Sequence, residues 1–151
     1  MPHFATLTSP AIPWLHDNID TDFIAPAMPG RSLDERAFGL LRFSEGGAQR
    51  AESLFNRAPF DRAAILIAGR NFGAGPQAQS AVDALLAHGV ICIVANSFAS
   101  PFAARARAAG LALGTVDREA AAAIADAAIE GDAITVDRRQ EAIVTANGER
   151  F

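Results

Sequence analysis

Short apolar runs alternate with segments of helical periodicity along the chain, and glycine or proline separates most of them. The run at residues 63–68 is rich in isoleucine and ends at Gly69, which predicts a strand buried on both faces. The next segment predicts a helix from about residue 76 to residue 88, because its apolar positions recur at helical spacing: Ala78, Ala81, Val82, Leu85 and Leu86. Pro76 suits the first helical position. The strand therefore leads through a glycine turn into a helix, and such junctions build pockets.

The rest of the pattern predicts an α/β fold with a largely parallel centre, in a single domain spanning residues 1–151. Further strands are expected at residues 4–12, 90–95, 111–116, 134–137 and 142–145, and after a turn at Asn147 and Gly148. Pro13 is expected to close the first of these strands. One helix capped by Ser97 or Ser100 should run to residue 109, and another should run from a cap at Asp117 to about residue 129.

Residues 18–26 and 28–59 precede the central strand, and only the first of these segments has a composition that predicts a definite structure. Residues 18–26 are rich in Asn, Asp and Thr, whose short side chains bond nearby backbone, so they predict a tight, structured loop. Its carboxylates, Asp20 and Asp22, either orient a substrate hydroxyl or an arginine, or serve only the turn. Residues 28–59 contain a capping box at Ser32-Leu33-Asp34-Glu35 and scattered apolar anchors, which fits either a substrate-sensing lid or an ordinary surface excursion.

Composition excludes several classes of function. The chain has 151 residues, half of them hydrophobic, a net charge of -4 and 13 basic residues, all of them scattered arginines, so a nucleic-acid surface is not expected. The single cysteine, Cys92, lies in an apolar run, which rules out a disulfide framework or a multi-cysteine metal site within this chain. The sequence has no apolar run of membrane-spanning length and no signal peptide at residues 1–3, which predicts a cytoplasmic protein.

The glycine turn suits an anionic ligand. Gly73 and Gly75 leave backbone N–H groups pointing into the turn, and the dipole of the following helix favours a carboxylate or phosphate there. Residues 73–78 also match the dinucleotide fingerprint G-x-G-x-x-A. Against that interpretation, four residues separate the strand from the first glycine of the fingerprint, and the next strand ends at Asn96 with no acidic residue for a ribose.

Three motifs in register resemble those of one known family. They are Asn18-Ile19-Asp20-Thr21-Asp22-x-Ile24-x-Pro26, then Ala68-Gly69-Arg70-Asn71-Phe72-Gly73-x-Gly75, and Ser97-Phe98-Ala99 at the end of the following strand. Together they resemble the small subunit of isopropylmalate dehydratase, the free-standing form of the swivelling domain of aconitase. The resemblance implies a swivelling β/β/α fold and a hydro-lyase of leucine biosynthesis that moves a hydroxyl by dehydration and rehydration. It also implies no cofactor in this chain and a large partner subunit carrying a four-iron, four-sulfur cluster.

The chain departs from the family pattern at the catalytic turn. The family continues Gly-Cys-Gly-Ser-Ser-Arg-Glu-His-Ala, whereas residues 73–81 read Gly-Ala-Gly-Pro-Gln-Ala-Gln-Ser-Ala. The serine that supplies the alkoxide base in similar enzymes falls on Pro76, and the arginine that clamps the substrate carboxylate falls on Ala78. No catalytic residue is therefore assigned, and Ser80 and Gln77 are the candidates to replace the base. Ser80 is set back from Pro76 by roughly 6 Å along the predicted helix.

The wall of the expected pocket keeps the family's residue types. By resemblance, the substrate-binding residues are Asp20, Thr21, Asp22, Arg70, Asn71, Gly73 and Gly75. Arg70 has a second interpretation, as the ion-pair partner of Asp20 or Asp22. The histidines, His3, His16 and His88, lack metal-ligand spacing and are expected at the surface or at a helix end, so no metal site is expected.

Two hypotheses of different classes follow. In the first, the chain is a working small subunit that acts with the large dehydratase subunit on a small 2-hydroxy acid, and its partner or another side chain supplies the base. In the second, the chain is a catalytically degenerate relative that serves as a binding or regulatory subunit, docked on a large subunit or holding a small carboxylate. Residues 27–31 match no specificity pattern for the substrate, and a sheet edge left free after Phe151 would allow a homodimer.

Overall fold

The computed structural model describes residues 4–151, so His3 lies outside the described residues. In this range the elements are β1 (Thr6–Ser9), β2 (Ala11–Trp14), α1 (Thr21–Ile24), α2 (Leu33–Arg36), α3 (Gly39–Arg42), β3 (Ile65–Ala68), α4 (Ala78–His88), β4 (Cys92–Ala95), α5 (Ser100–Ala108), β5 (Ala112–Thr115), α6 (Arg118–Ile129), β6 (Ile134–Asp137) and β7 (Ala142–Val144). Two 3₁₀ turns, Leu54–Asn56 and Phe60–Arg62, lie between α3 and β3. The α/β class predicted from the apolar runs is confirmed.

A four-stranded parallel sheet forms the centre, with the strands in the order β2-β3-β4-β5. All residues of β3 and β4 are buried, as their continuous apolar runs predict. The expectation that Pro13 closes the first strand is wrong, because Pro13 lies inside β2 opposite Ile67. Since β2 is at the edge of this sheet, a residue without an N–H is tolerated there.

The parallel sheet is covered on both faces. Alternate strand residues point to opposite sides, so Leu66 and Ile93 pack with α4 and α5, while Ile65, Ile67 and Val94 pack with α6 and the second sheet. Helix α4 packs through the apolar stripe predicted from its spacing, with Ala81, Val82 and Leu85 fully buried. None of the described helices is long and apolar enough to cross a membrane.

The second sheet is antiparallel, with the strands in the order β1-β6-β7. The predicted hairpin of β6 and β7 is confirmed, and the chain then turns at Asn147 and Gly148 to pair again with β7. In that last pairing the N–H of Phe151 donates to the carbonyl of Ile143 at 2.8 Å, and the reverse bond is 2.9 Å. The predicted strand at residues 4–12 is two strands, because the chain breaks at Pro10 and passes from this sheet to the parallel one.

Helix ends follow the predicted caps with one exception. The Asp117 carboxylate accepts the N–H of Ala120 at 2.7 Å, and Ser32 and Glu35 form a reciprocal capping box on α2. The expectation that Ser97 or Ser100 caps α5 is wrong, because Ala99 is the N-cap residue and no side chain caps that helix. The hydroxyl of Ser97 is instead bonded to the turn that follows β3.

Candidate functional site

The candidate site is built from three loops that follow the carboxyl ends of β2, β3 and β4. In a parallel sheet these ends meet at one edge, where ligands of open α/β sheets commonly bind. The first loop runs from β2 into α1, the second from β3 into α4, and the third from β4 into α5. All three sequence motifs that carry the family resemblance overlap these loops, although the first continues through α1 and the second starts at the last residue of β3.

The glycine turn after β3 is fixed mainly by backbone hydrogen bonds to the β2–α1 loop. The N–H of Gly73 donates to the carbonyl of Ile19 at 2.9 Å, and the N–H of Thr21 donates to the carbonyl of Ala74 at 2.7 Å. Gly73 has a φ of +87°, and a Cβ there would lie 2.4 Å from Cγ of Phe102. The turn therefore requires glycine at residue 73 for its backbone conformation and also for its packing.

A carboxylate and a hydroxyl lie directly against the second glycine of the turn. A Cβ on Gly75 would come within 2.8 Å of Oγ1 of Thr21 and 2.9 Å of Oδ2 of Asp20. The Thr21 hydroxyl is fully buried and accepts the N–H of Gln77 at 3.3 Å. Oδ1 of Asp20 caps α1 by accepting the N–H of Asp22 at 2.8 Å, while Asp22 itself is exposed. The structure thus brings Asp20 and Thr21 together with both glycines.

Asn71 links the glycine turn to its two neighbouring loops. It has a φ of +56°, its N–H donates to Oγ of Ser97 at 2.8 Å, and its side-chain amide donates to Oδ1 of Asn18 at 3.0 Å. The N–H of Asn18 donates in turn to the carbonyl of Arg70 at 2.7 Å. Asn tolerates the left-handed conformation better than most residues, which explains an asparagine in this position.

The ion-pair partner predicted for Arg70 is wrong. The Arg70 guanidinium pairs neither with Asp20 nor with Asp22 but lies 3.6 Å from Oδ2 of Asp17. The N–H of Arg70 also donates to Oδ1 of the same carboxylate at 2.8 Å. The bond between Asn18 and Arg70 explains this choice, because it sets the residue before Asn18 beside the Arg70 backbone.

Asp17 also receives a second arginine that the sequence pattern did not single out. Arg118, the first residue of α6, lies 3.3 Å from Oδ2 of Asp17. The N–H of Arg70, followed by the side chain of Arg118, holds the pKa of Asp17 below its ordinary value against the opposing effect of desolvation. Two arginines converge on one carboxylate, so this corner of the site keeps a formal excess of one positive charge. Asp17 adjoins the first motif, but no local signal marks Arg118, which is 101 residues away.

Helix α4 begins later than its pattern predicts. Its first residue is Ala78, so the expectation that Pro76 occupies the first helical position is wrong. Gln77 is the N-cap residue, and no side chain caps the helix. Pro76 and Gln77 are exposed, whereas Ala78 is 7% exposed and faces the core. The position of the family's arginine is therefore occupied by a small core residue.

Gln79 and Ser80, the next two residues of α4, differ in their exposure and in their hydrogen bonds. The Gln79 side chain is exposed, donates to Asp83 at 2.9 Å and accepts from Arg105 of α5 at 3.2 Å. Ser80 is half-buried in the first turn of α4, and its side chain makes no hydrogen bond within the described part of the chain. Of the two candidates to replace the base, Ser80 is inside the helix and Gln77 precedes it.

This arrangement suits the binding of an anion. Backbone N–H groups at the start of α4 and the positive end of its dipole meet the glycine turn, and two exposed guanidinium groups lie on the same loop edge. Within residues 4–151, no group of three or more His, Cys, Asp or Glu side chains is placed to hold a metal ion. Cys92 is buried in β4, and burial raises the pKa of its thiol to about 12, which favours the protonated thiol at neutral pH.

Curated relatives and a solved structure both match the chain. No family model matches the chain. The 3-isopropylmalate dehydratase small subunit of Gluconobacter oxydans is 34% identical over 99% of this chain and 75% of its own length. The small subunit of Rhodospirillum centenum is 39% identical over 68% of this chain, and the matched part spans about half of that relative, 53%.

A solved structure confirms the fold. The crystal structure of 3-isopropylmalate dehydratase from Methanocaldococcus jannaschii superposes with a TM-score of 0.69, covering 96% of this chain and 79% of that one, at 22% identity. The swivelling β/β/α architecture implied by the motifs is therefore present. On the identity and coverage of its relatives, this chain belongs to the family of 3-isopropylmalate dehydratase small subunits.

Proposed function

We propose that this chain is the small subunit of an isopropylmalate dehydratase-like hydro-lyase of leucine biosynthesis. It acts in the cytoplasm on a small 2-hydroxy acid, together with a larger subunit that carries a four-iron, four-sulfur cluster. Family membership supports the reaction class. The observation on which the proposal chiefly depends is the glycine turn, whose backbone bonds to Ile19 and Thr21 preserve the frame of a carboxylate site.

Within this assembly the chain binds and orients the substrate. One substrate carboxylate is received at the start of α4, where the positive end of the helix dipole and the backbone N–H groups that follow Gln77 favour an anion. Gly73 and Gly75 shape the turn by letting Phe102, and Asp20 with Thr21, pack directly against its backbone. Asp20 and Thr21 lie beside Gly75 and are the nearest side chains for a substrate hydroxyl. Arg70 and Asn71 close the other side, with Arg70 supplying positive charge, and Asp22 lies at the exposed rim.

We assign the cluster to the larger subunit, because this chain has a single cysteine, the buried Cys92, and one cysteine is too few to hold a four-iron cluster. When bound there, it supplies a Lewis acid for the departing hydroxyl. The proton that leaves the carbon beside the carboxylate must go to a base. Pro76 has neither a hydroxyl nor an N–H, and Ala78 cannot pair with a carboxylate. We assign the base to the large subunit, with Ser80 as the alternative within this chain.

The test is turnover by the chain reconstituted without oxygen with the large subunit from the same source. Isopropylmalate and a panel of other 2-hydroxy acids are the substrates, and complex formation is measured separately by size-exclusion chromatography. We expect turnover that survives Ser80→Ala and Gln77→Ala but falls by roughly a hundredfold or more when Gly75→Val fills the turn. Asp132→Asn, an exposed change outside the site, is the matched control and should leave turnover unchanged.

The other outcomes are also decisive. Loss of turnover in Ser80→Ala alone would transfer the base to this chain. A complex that forms but turns over none of the substrates, and gains activity on Pro76→Ser with Ala78→Arg, would overturn the proposal. The chain would then be a catalytically degenerate binding or regulatory subunit.

A further inference from the structure

The outer strand β5 leaves one edge of the parallel sheet open. It pairs with β4 on one side, and no other strand within residues 4–151 pairs with its second side. The residues from Ala112 to Gly114 are half-buried and Thr115 is exposed, whereas every residue of β4 is buried. The open side of β5 is therefore accessible to another polypeptide.

The hydrogen bonds to β4 determine which backbone groups of β5 face the open edge. The N–H groups of Ala112 and Val116 each donate at 3.0 Å to a carbonyl on the β4 side. Backbone groups of successive strand residues point to opposite sides, so the N–H and C=O groups of Leu113 and Thr115 point outward. The open edge thus presents donors and acceptors in equal number, in alternation along the strand.

The two edge strands of the parallel sheet differ in how they are protected. Proteins commonly block an exposed edge with proline, with charged side chains or with a bulge. Strand β2 contains Pro13, whereas β5 reads Ala-Leu-Gly-Thr, with neither proline nor charge. The register of β5 with β4 is unbroken from Ala112 to Thr115, so β5 has no bulge there. Of the two edges, β5 is therefore the one suited to strand pairing.

Gly114 lies inside β5 at a position where this chain does not require glycine. Its φ is outside the left-handed region, and a Cβ there would approach no closer than 3.9 Å to Cγ2 of Val94. Glycine inside a strand costs stability and often marks the place where another backbone comes close. The open edge therefore has its smallest residue between the two that point their backbone groups outward.

A second copy of β5 fits this edge in the antiparallel orientation. Leu113 then lies opposite Thr115 of the second copy, and in such a pair the two residues exchange both backbone hydrogen bonds. A two-fold axis at Gly114 repeats the pair, so the strand is its own complement and every outward group of Leu113 and Thr115 is bonded. The two Gly114 residues meet as a non-hydrogen-bonded pair with Cα atoms about 4.5 Å apart, and no side chain separates them.

An apolar cleft beside β5 continues the same surface. It has a volume of 590 Å³, and β5 faces Val136, Ile143 and Phe151 of the second sheet across it. Ala112 and Val116 line the β5 side of the cleft. In the antiparallel register Ala112 lies opposite Val116 of the second copy, so pairing extends the apolar floor of the cleft from one copy into the other.

We propose that two copies of this chain associate through β5, antiparallel and with Gly114 at the two-fold axis, which joins their parallel sheets into one continuous sheet. Strand β5 lies outside the three loops of the candidate site. The association is therefore independent of the proposed dehydratase function, and turnover does not test it.

Sedimentation velocity of the full chain over a series of concentrations tests the association, and we expect a dimer. Thr115→Pro removes an outward N–H, and an edge strand accepts proline where the N–H faces solvent, so this variant should fold, as circular dichroism can verify. It should weaken dimerisation by roughly tenfold or more. Thr115→Val keeps the N–H at the same position and is the matched control, which should dimerise as the unmodified chain does.

Cysteine cross-linking tests the register. Gly114→Cys would set two thiols directly across the axis, where Cβ atoms of opposite residues lie about 4.5–5.5 Å apart, close to the separation in a disulfide. Mild oxidation with diamide should then give a covalent dimer. Thr115→Cys is the control, because residue 115 lies opposite Leu113 of the second copy and its thiols should not join. The unmodified chain, with its buried Cys92, measures the background.

Several outcomes would overturn the proposal. A chain that stays monomeric at every concentration would do so, as would a dimer that Thr115→Pro leaves unchanged. Cross-linking of Thr115→Cys as readily as Gly114→Cys would exclude the antiparallel register. If the unmodified chain is monomeric and Thr115→Pro abolishes its complex with the large subunit, the open edge of β5 pairs with that subunit and not with a second copy.

Discussion

The two ends of helix α4 are stabilised by different kinds of interaction. At its start, a turn with two left-handed glycines is held largely by backbone bonds, and the side chains of Pro76 and Gln77 point outward. At its end, Gly89 closes the helix by donating to the carbonyls of Leu85 and Leu86, and charged side chains lie around His88, among them the buried Arg42. The first end depends on backbone shape, whereas the second depends on charge.

This difference explains how the backbone of the turn can persist while the exposed residues that follow it change. A turn made by backbone bonds depends on glycine at two positions and tolerates replacement of the exposed residues that follow. The charged end should tolerate less, since removing the buried Arg42 leaves the groups that it contacts without a partner. The two ends should therefore respond to different kinds of substitution.

The largest effect is expected from Gly73→Ala. Its Cβ would lie 2.4 Å from Cγ of Phe102, which is fully buried, and the residue has a φ of +87°. Steric displacement together with backbone strain should lower the free energy of unfolding by about 3–5 kcal/mol. Gly89→Ala is the matched control at the other end of the helix, because its φ is +104° but nothing lies within 4 Å of the added Cβ.

Urea unfolding measures both variants. Gly89→Ala should cost only about 1–2 kcal/mol, the strain of the left-handed conformation alone. Equal losses in the two glycine variants would show that the packing against Phe102 does not restrict the turn, and would contradict the idea that this end depends on backbone shape.

The charged end should respond next most strongly, to Arg42→Ala. This change removes two hydrogen bonds to backbone carbonyls and leaves the Asp34 carboxylate without the guanidinium 4.0 Å away, at a cost of about 2–3 kcal/mol. Burial lowers the pKa of Arg42 and the carboxylates of Asp34 and Glu35 oppose that shift. Arg50→Ala is the control, since the Arg50 side chain makes a single hydrogen bond, to the carbonyl of Phe43, and its loss should cost about 1 kcal/mol. If thermal unfolding shows a smaller loss of stability in Arg42→Ala than in Arg50→Ala, the end of α4 does not depend on charge.

Local pattern was enough to predict the glycine turn and most of the elements around it. The strand, the turn, the stripe of α4 and the cap at Asp117 all depend on residues within a few positions of one another. The same holds for the capping box of Ser32 and Glu35, and for the hairpin of β6 and β7.

Side-chain partners that meet only in the folded chain could not be predicted in this way. Arg118 reaches Asp17 across 101 residues, and His88 reaches Asp34 across 54, so no spacing rule connects them. His16 is exposed and His88 lies at the end of α4, both as expected, but the pairing of His88 with Asp34 was not predicted. Ser97 was wrongly predicted to cap α5 because its motif also fits a helix start, and its bond to Asn71 is visible only in the fold.

A smaller loss of stability is expected from Thr21→Val, because the Thr21 hydroxyl is a side chain that supports the start of α4. Thr21→Val keeps the shape of a fully buried residue and removes the hydroxyl that accepts the N–H of Gln77. The expected loss is about 1 kcal/mol in urea unfolding, together with weaker binding of substrate carboxylates. Thr115→Val, an exposed change in β5, is the control and should be neutral. No loss in Thr21→Val would mean that backbone bonds alone hold the start of α4.

The smallest effect is expected at Asp17, and it depends on pH. The pKa of Asp17 is lowered in the folded chain, chiefly by the N–H of Arg70, so folding favours the ionised carboxylate. This contribution is present above the unfolded-state pKa of about 3.9 and is lost as the pH falls through the folded-state value. Asp17→Asn should therefore be slightly less stable than the unmodified chain at neutral pH and equal to it in acid. Unfolding in urea at both pH values measures this, with Asp132→Asn as the exposed control. If the difference in the free energy of unfolding between Asp17→Asn and the unmodified chain persists unchanged in acid, the Asp17 side chain acts through its shape and not its charge. This corner of the site would then be as independent of charge as the glycine turn beside it.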